Sequence, residues 1–314
     1  MGVADRDSAV PRRASAPLIE DLPLSRWDRQ EPPAEPARRR PPRWRRALPL
    51  VVCSLFACVL VAVVAAIQTR PGAVGAADRP GADAAPDPRD NALLTLSVPL
   101  PSVACSLPEL GLDPSALQDY YDAEIRCLEQ AWTPVLAEVG ATVSGVSVRL
   151  DDDPSTRCGA LPPATEATGL YCHLDDTIYL PHDRVLASLG PSTEAHLATV
   201  AHEYGHHVQR LSGILDMANR ELGSYERDSP QDHELHRRVE LQANCFAGLF
   251  LASASGRGSI SAADAEAAVN DFRNWVDSDT HGSSETQLRW ARAGFDDGTV
   301  ATCDTWAVPS SHVL

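Results

Sequence analysis

The residues with the clearest capacity for chemistry are His202, Glu203 and His206, in the segment T-V-A-H-E-Y-G-H-H-V-Q-R-L at positions 199–211. On an α-helix, histidines four positions apart lie about 40° apart around the axis and roughly 6 Å apart along it, so both imidazoles can reach one ion. Glu203 lies beside them, where its carboxylate can take a proton from metal-bound water. The H-E-x-x-H pattern therefore predicts a zinc-binding helix that activates water, as in zinc-dependent peptidases.

A catalytic zinc of this kind needs a third protein ligand and an open fourth position. The metzincin arrangement would require glycine at position 209 and histidine at 212, but the sequence has Gln209 and Ser212. A better candidate is the segment E-L-Q-A-N, where Glu240 and Asn244 lie four positions apart on one face of a predicted helix. We interpret Glu240 as the third ligand and Asn244 as an acceptor that orients a ligating histidine.

Other candidate ligands fit less well. His207 is turned about 100° from the preceding histidine, which favours a surface or packing role. His233 and His236 are rival third ligands, but they lie near the exposed start of their predicted helix. The acidic run Asp151–Asp153 lacks the ligand spacing and the glycine of a calcium loop, so a solvated turn explains it better.

The pattern of caps and apolar positions predicts an α+β domain, mainly helical, with a small sheet packed on the H-E-x-x-H helix. Strands are expected before residue 190 and helices dominate after it. Hydroxyl residues followed by an acid mark helix starts. The first expected element is a helix at 114–132, where Thr133-Pro134 either bends the helix or restarts a short turn that ends near Gly140. A strand is expected within 142–150, and two short strands that turn at Asp175-Asp176 are expected within 169–180. Further helices are expected at about 193–212, 230–253, 261–276 and 284–293, the last closed by Gly294.

Residues 47–67 form a stretch of 21 residues without a charge. At about 1.5 Å per residue it would span about 31 Å, enough to cross a hydrocarbon core of about 30 Å. We interpret it as a transmembrane helix, because the apolar core of a cleaved signal peptide is normally shorter and follows a shorter leader. Six arginines at 38–46 precede it, so the positive-inside rule predicts a cytoplasmic N-terminus and an extracytoplasmic C-terminal domain.

The predicted protein is therefore a single-pass cell membrane protein with four parts. These are an Arg- and Pro-rich disordered cytoplasmic tail at 1–46, the membrane helix at 47–67, a flexible linker at 68–92 and a folded domain at 93–314. The formal net charge is −16, and the tail contributes +4 from eleven arginines and seven acids, which leaves −20 for the rest. Such an acidic surface argues against nucleic acid or anionic lipid as a partner, while the oligomeric state is left open.

The chain has eight cysteines, and Cys53 and Cys58 lie in the predicted membrane helix as apolar filler. An even number outside the membrane predicts three disulfides, although six cysteines allow 15 pairings and the sequence does not choose among them. A second metal site is the alternative, but no C-x-x-C pair is present. The six candidates are Cys105, Cys127, Cys158, Cys172, Cys245 and Cys303.

Three ordered segments, H-E-Y-G-H-H-V-Q (202–209), E-L-Q-A-N-C-F-A-G (240–248) and H-G-S-S-E-T-Q-L-R-W-A-R-A-G-F (281–295), precede Cys303-Asp304-Thr305. Together they resemble the bacterial putative neutral zinc metallopeptidase family, membrane-anchored proteins of zincin-like fold, over roughly residues 93–306. The resemblance implies a gluzincin site with one Zn²⁺. Its expected ligands are His202, His206 and Glu240, with Glu203 as the catalytic acid/base.

The resemblance also implies that Cys245 and Cys303 pair. One position departs from the family pattern, which usually reads E-L-Q-A-D, because this chain has Asn244. An amide keeps the acceptor oxygen but lacks the charge that makes a ligating histidine more basic. We therefore expect Asn244 to reduce zinc affinity or rate.

His281 begins the third segment and has no ligand role in this scheme. Its side chain could donate a hydrogen bond to the oxyanion of the tetrahedral intermediate. The alternative is a structural role, with Ser283 or Ser284 capping the last long helix. The sequence does not decide between these two interpretations.

The favoured function is hydrolysis of peptide bonds in a peptide or protein substrate by zinc-activated water. An extended substrate would pair with an edge strand, for which the segment Thr177–Leu180 is the candidate. The alternative function is a non-catalytic, zinc-stabilised extracytoplasmic module that binds partners. Glu203 favours the enzyme, since a purely structural zinc site has no use for that carboxylate.

Overall fold

The computed structural model describes residues 88–164 and 168–314. The predicted tail at 1–46, the predicted membrane helix at 47–67 and most of the predicted linker lie outside these described residues. Within the two described ranges, no helix combines the length and the apolar character needed to cross a membrane. The described chain begins with two 3₁₀ turns, Pro88–Asp90 and Ala92–Thr95, and between them the Asn91 amide donates to the Ser212 carbonyl at 2.9 Å.

Helices form most of the domain, and three short strands form a sheet. The α-helices are α1 (Pro114–Glu138), α2 (His182–Leu189), α3 (Thr193–Leu211), α4 (Ile214–Leu222), α5 (Pro230–Ala254), α6 (Ala262–Asp271) and α7 (Ser284–Asp297). The strands are β1 (Ser147–Arg149), β2 (Leu170–Cys172) and β3 (Thr177–Tyr179). Short 3₁₀ helices follow α6 at Phe272–Asn274 and α7 at Val300–Cys303. The prediction of a mainly helical α+β domain is confirmed.

The sheet has the order β1-β3-β2, so β3 is its central strand. Strand β3 pairs in parallel with β1, with Ile178 opposite Val148, and antiparallel with β2, with Ile178 opposite Tyr171. The prediction that Thr177–Leu180 is an edge strand is therefore wrong. Both edges of β3 are paired. Strand β2 reaches β3 through the tight turn at Asp176, whereas β1 pairs with β3 in parallel, a connection that the alternation of apolar residues does not reveal.

Side-chain caps fix the starts of the long helices where the sequence predicts them. Ser192 accepts a hydrogen bond from the Ala195 N–H at the start of α3, and Ser229 accepts one from the Asp232 N–H at the start of α5. Helix α6 begins with a full capping box between Ser261 and Asp264. Helices α2 and α4 are not predicted from the sequence, and their N-cap residues, Pro181 and Gly213, make no side-chain cap.

Helix α1 continues without interruption through Pro134 to Glu138. A proline inside a helix leaves the carbonyl four residues earlier without its N–H partner, and here that residue is the exposed Gln130, where water can replace the bond. The neighbouring apolar side chains are buried and favour a continuous helix. They are Trp132, Val135 and Leu136.

Helix α5 forms the centre of the core and packs against α3, α6 and α7. Gly205 of α3 permits a close approach to α5, since an added Cβ would lie 2.9 Å from the Ala243 carbonyl oxygen. Gly294 does not close α7 as predicted but lies inside it, where an added Cβ would collide with the Cys245 carbonyl. These glycines bring α5 close to the H-E-x-x-H helix on one side and to α7 on the other.

The six described cysteines form three disulfides, as predicted. Cys105 pairs with Cys127 and joins the segment before α1 to that helix. Cys158 pairs with Cys172 at β2. The third pair, Cys245 with Cys303, ties α5 to the 3₁₀ helix after α7.

Candidate metal centre

Three side chains from two packed helices converge in the core. His202 and His206 lie one turn apart on α3, and Glu240 lies on α5. The Nε2 atoms of the histidines lie 3.1 Å apart, and the Glu240 Oε2 lies 3.3 Å from His202 Nε2 and 3.4 Å from His206 Nε2. All three residues are buried.

These donor atoms fit one zinc ion. Tetrahedral zinc binds nitrogen and oxygen ligands at about 2.0–2.2 Å, which places neighbouring donor atoms about 3.3–3.5 Å apart. Neither Glu240 oxygen makes a hydrogen bond within the described chain, although both are buried. A buried carboxylate in that state requires a compensating charge, and a cation held by all three residues would supply it.

Each histidine directs its Nδ1 atom to an amide oxygen. His202 Nδ1 lies 2.7 Å from Asn244 Oδ1, and His206 Nδ1 lies 2.9 Å from Gln209 Oε1. An acceptor at Nδ1 favours the tautomer with its proton there, which leaves the Nε2 lone pair free for a metal. The sequence predicts the contact from Asn244 but not the one from Gln209, which there only excludes the metzincin pattern. The three-residue spacing from His206 is the signal that could have identified Gln209.

Glu203 lies beside the two histidines on α3 and is fully buried. Burial raises the pKa of Glu203 to about 8, although the neighbouring His206 and, to a smaller extent, the Tyr171 backbone N–H of β2 lower it. Neither carboxylate oxygen makes a full hydrogen bond to a described residue. A carboxyl group with a pKa this close to neutrality can both hold and release a proton near neutral pH, which suits a group that transfers protons.

The two histidines differ in their charge preference. Burial lowers the pKa of His202 to about 4 despite its contact with Glu240. Burial also opposes a charge on His206, but the carboxylates of Glu240 and Glu203 outweigh it and raise the pKa to about 9. Burial alone would raise the pKa of Glu240, but His206 and His281 hold it well below its usual range.

His281 approaches the same carboxylate from the segment before α7. Its Nε2 lies 3.4 Å from Glu240 Oε2, and its Nδ1 lies 3.0 Å from Ser278 Oγ and 3.1 Å from Thr280 Oγ1. It does not join the described group His202, His206 and Glu240, whose ligand atoms all lie within 4.8 Å of one another. Ser283, one of the two predicted caps, accepts a hydrogen bond from the Thr286 N–H at the start of α7.

Comparison with known sequences agrees with this geometry. The sequence profile of the family described as putative neutral zinc metallopeptidase matches residues 113–306, more than half of the chain. The chain belongs to this family. Membership implies zinc, and the three converging donors are the candidate site for it.

Two curated relatives match part of the chain. The chain is 34% identical over 154 residues to the uncharacterized protein YpfJ of Escherichia coli K12, which covers 43% of this chain and 53% of YpfJ. It is 32% identical over 187 residues to the uncharacterized protein Rv2575 of Mycobacterium tuberculosis H37Rv, which covers 48% of this chain and 59% of Rv2575. The match thus spans little more than half the length of these relatives. No solved structure matches this chain.

Two aromatic side chains, Trp275 and Phe272, lie beside the candidate metal site, and the sequence does not predict them there. The Trp275 ring lies 5.1 Å from the His202 ring, edge to face, and 4.4 Å from the Phe272 ring. The indole N–H donates to Asp271 Oδ2 at 3.4 Å. Trp275 therefore shields one face of His202 from water. It follows a 3₁₀ turn rather than a periodic segment, so no sequence pattern marks it.

The remaining histidines have other surroundings. His207 is buried, not at the surface, with Nδ1 2.9 Å from the Tyr171 hydroxyl and Nε2 2.9 Å from the Ser144 carbonyl oxygen, which agrees with a packing role. His236 is also buried one turn before Glu240, and His233 groups with Asp228 and Asp232. Neither rival joins the three converging donors.

The acidic run Asp151–Asp153 is exposed, as expected for a solvated turn. One of its members, Asp152, accepts a hydrogen bond from the Asp183 N–H at 2.8 Å near the start of α2. Asp152 also lies close to His182 and Asp183. This local hydrogen bond gives the run a role in ordering the chain before α2.

Proposed function

We propose that the chain is a zinc-dependent endopeptidase of the gluzincin type. The observation that supports this proposal best is the tetrahedral spacing of the His202, His206 and Glu240 donors beside the Glu203 carboxylate, which has no full hydrogen bond. A zinc-stabilised binding module would need the three donors but not the fourth group. A bound zinc ion would supply Lewis acidity toward a water molecule and a peptide carbonyl.

Glu203 performs the proton transfers in this proposal. Its carboxylate takes the proton of the attacking water and then gives it to the leaving amine. The pKa of about 8 in the metal-free protein comes mainly from burial, so the group holds a proton strongly enough to return it. A zinc cation held by the three ligands would lower that value, which suits the first of the two transfers.

His281 is the proposed donor to the oxyanion. Ser278 Oγ accepts a hydrogen bond from the His281 backbone N–H at 3.0 Å, so its own hydroxyl proton can point to His281 Nδ1. A proton on Nε2 then faces Glu240 and the site. Such a donor can contribute about 3 kcal/mol to stabilising the transition state.

The proposed substrate strand lies along β2, because the central position of β3 leaves it no free edge. Strand β2 ends the sheet and packs against α3. The backbone N–H of its Tyr171 lies near enough to the Glu203 carboxylate to lower the pKa of that group slightly, without forming a hydrogen bond to it. A peptide extended along this edge would therefore present its backbone next to the general base.

The proposed location is outside the cytoplasmic membrane, with one N-terminal helix as the anchor. The uncharged stretch at 47–67 and the arginines before it support this proposal. Three disulfides in the described domain agree with an oxidising compartment. The zincin-like fold is part of the same proposal and is supported by the family and by the site.

The test uses the full-length protein in detergent, loaded with zinc and incubated with a mixed peptide library. We expect new peptide fragments from the unaltered protein and none from Glu203→Gln, although the variant keeps its zinc. Glu138→Gln is the matched control, because Glu138 is an exposed residue at the end of α1. Equal fragment patterns from Glu203→Gln and the unaltered protein, or no fragments from either, would reject the peptidase and favour the binding module.

A further inference from the structure

Two glutamine side chains form a buried chain of amides behind His206. Gln209 lies on α3 and Gln242 on α5, and both are fully buried. Gln209 Nε2 donates to the Val239 carbonyl at 2.8 Å and to Gln242 Oε1 at 3.0 Å. Gln242 Nε2 in turn donates to the Cys303 carbonyl at 3.0 Å. We call these two side chains and their two carbonyl acceptors the amide relay.

The carbonyls give the amide relay one direction. A backbone carbonyl only accepts hydrogen bonds, so the Gln242 atom next to Cys303 must be the NH₂ group, and the Gln209 atom next to Val239 must be one as well. A flipped amide at either position would place two acceptors in contact inside the core. The orientation of a glutamine amide is ambiguous when it has no such partner. Here the Val239 carbonyl fixes the orientation of Gln209, and the Cys303 carbonyl fixes that of Gln242.

This direction determines the proton position on His206. With its NH₂ group committed to Val239 and Gln242, Gln209 can present only its oxygen to His206 Nδ1, 2.9 Å away. His206 must therefore carry a proton on Nδ1, and its Nε2 then faces Glu240 and His202. The ring of a ligand is held in both orientation and tautomer by groups that never touch the metal.

We propose that Gln209 and Gln242 are positioning residues that set the His206 imidazole for metal binding through the amide relay. The proposal rests on the proposed zinc function. The relay ends at Cys303, whose disulfide partner Cys245 follows Asn244 on α5. The amide relay therefore connects the H-E-x-x-H helix to Cys303, about a hundred residues further along the chain. This connection gives the two buried glutamines a role.

The test measures zinc affinity and the ligand protons in full-length protein. Gln209→Met and Gln242→Met remove the amides with little change in side-chain length, and Gln231→Met makes the same change at an exposed position of α5. Zinc dissociation constants come from competition with a chromophoric chelator. In the cobalt-substituted protein, NMR resolves the exchangeable Nδ1 protons of the two ligating histidines.

We expect Gln209→Met to raise the zinc dissociation constant about 10–100-fold and to lose the Nδ1 proton signal of one histidine to rapid exchange. Gln242→Met should shift and broaden that same signal with a smaller loss of affinity, since it leaves Gln209 in place. Gln231→Met should change neither. If Gln209→Met does not fold, judged by circular dichroism without metal, Gln242→Met carries the test.

Unchanged affinity together with two unchanged Nδ1 proton signals in Gln242→Met, or in a folded Gln209→Met, would overturn the relay. The relay would also be overturned if Gln209→Met or Gln242→Met changed the Nδ1 proton signal of His202 instead of that of His206. The His202 signal is the one that changes in an Asn244→Leu variant, which removes the acceptor of that proton. Failure of the unaltered protein to bind zinc or cobalt would instead reject the proposed function. The two proposals can therefore fail separately.

Discussion

The two histidines of the H-E-x-x-H helix have different support. His206 is held by Gln209, whose own amide is fixed through Gln242 to the Cys303 carbonyl. The Nδ1 atom of His202 contacts only Asn244 among the hydrogen-bond partners in the described chain, and the Asn244 Nδ2 has no partner among the described residues. The tautomer of His206 is therefore fixed by the fold, while that of His202 depends on a single amide whose NH₂ group has no hydrogen bond there to orient it.

The same contrast shows what an asparagine at position 244 changes. At a position where the resemblance predicts aspartate, both oxygens would be acceptors and the orientation of the group would not matter. An asparagine can turn either its oxygen or its NH₂ group toward His202, and only the first favours metal binding. The less firmly held side of the proposed site is thus the His202 side.

The largest effect should come from removing the group that the two histidines share. Glu240→Ala leaves both Nε2 atoms without the carboxylate that lies 3.3–3.4 Å from them. We expect zinc affinity to fall by more than the roughly 10–100-fold typical of a residue that only supports a ligand. Elemental analysis after dialysis measures it, with the exposed Glu226→Ala as control. Full zinc content in Glu240→Ala would place the third ligand elsewhere.

A second prediction uses the opposite pKa shifts of the two histidines in the metal-free protein. The raised pKa of His206, about 9 against 6.5, contributes stability below pH 6.5 that is lost as pH rises toward 9. The lowered pKa of His202, about 4 against 6.5, means that its neutral form is favoured and stability is lost as pH falls below 6.5. Each contribution is on the order of a few kcal/mol.

Thermal unfolding of chelator-treated protein from pH 4 to 9 measures both contributions. We expect His206→Gln to flatten the loss above pH 6.5, and His202→Gln to flatten the loss below it. Identical pH profiles for the two variants would show that the histidines do not differ in this way. Zinc should suppress the alkaline loss in the unaltered protein, because a ligating His206 cannot hold a proton on Nε2.

The sequence predicts the site better than the elements around it. His202, His206 and Glu240 are found together because each lies on a long, capped, periodic helix, where spacing determines the face. Strand order does not follow from local pattern, so the sequence predicts an edge position for β3 although the strand is central. Helices α2 and α4 are missed because the residues at their N-caps, Pro181 and Gly213, make no side-chain cap that a local pattern could indicate.

The amide relay could not be predicted for a different reason. Gln242 is one letter of the E-L-Q-A-N segment, and its role depends on which side chain of α3 lies opposite when the two helices pack. Gly205 sets that distance by permitting close contact with Ala243. Such a contact requires both helices and their separation, whereas a local motif describes one helix at a time.

A smaller effect should follow from Asn244→Leu, which removes the acceptor of His202 and keeps the side-chain volume. We expect the zinc dissociation constant to rise about tenfold, at the lower end of the range for a supporting residue, because Asn244 itself is not anchored. The cobalt NMR signal of the His202 Nδ1 proton should exchange faster while that of His206 is unchanged. A loss larger than that of Gln209→Met would reverse the ranking of the two sides.

The smallest effect should be a gain from Asn244→Asp. The change breaks no hydrogen bond of the described chain, because Asn244 Nδ2 makes none. A carboxylate at this position makes His202 a more basic ligand, so we expect zinc to bind up to about tenfold more tightly. The same carboxylate is buried without a counter-charge when zinc is removed, which destabilises the metal-free protein. The difference in unfolding temperature between zinc-bound and metal-free protein should therefore widen relative to the unaltered chain. If the difference in unfolding temperature stays the same in Asn244→Asp, the Asn244 amide already supports His202 as well as a carboxylate can. The proposed contrast between His202 and His206 would then be wrong.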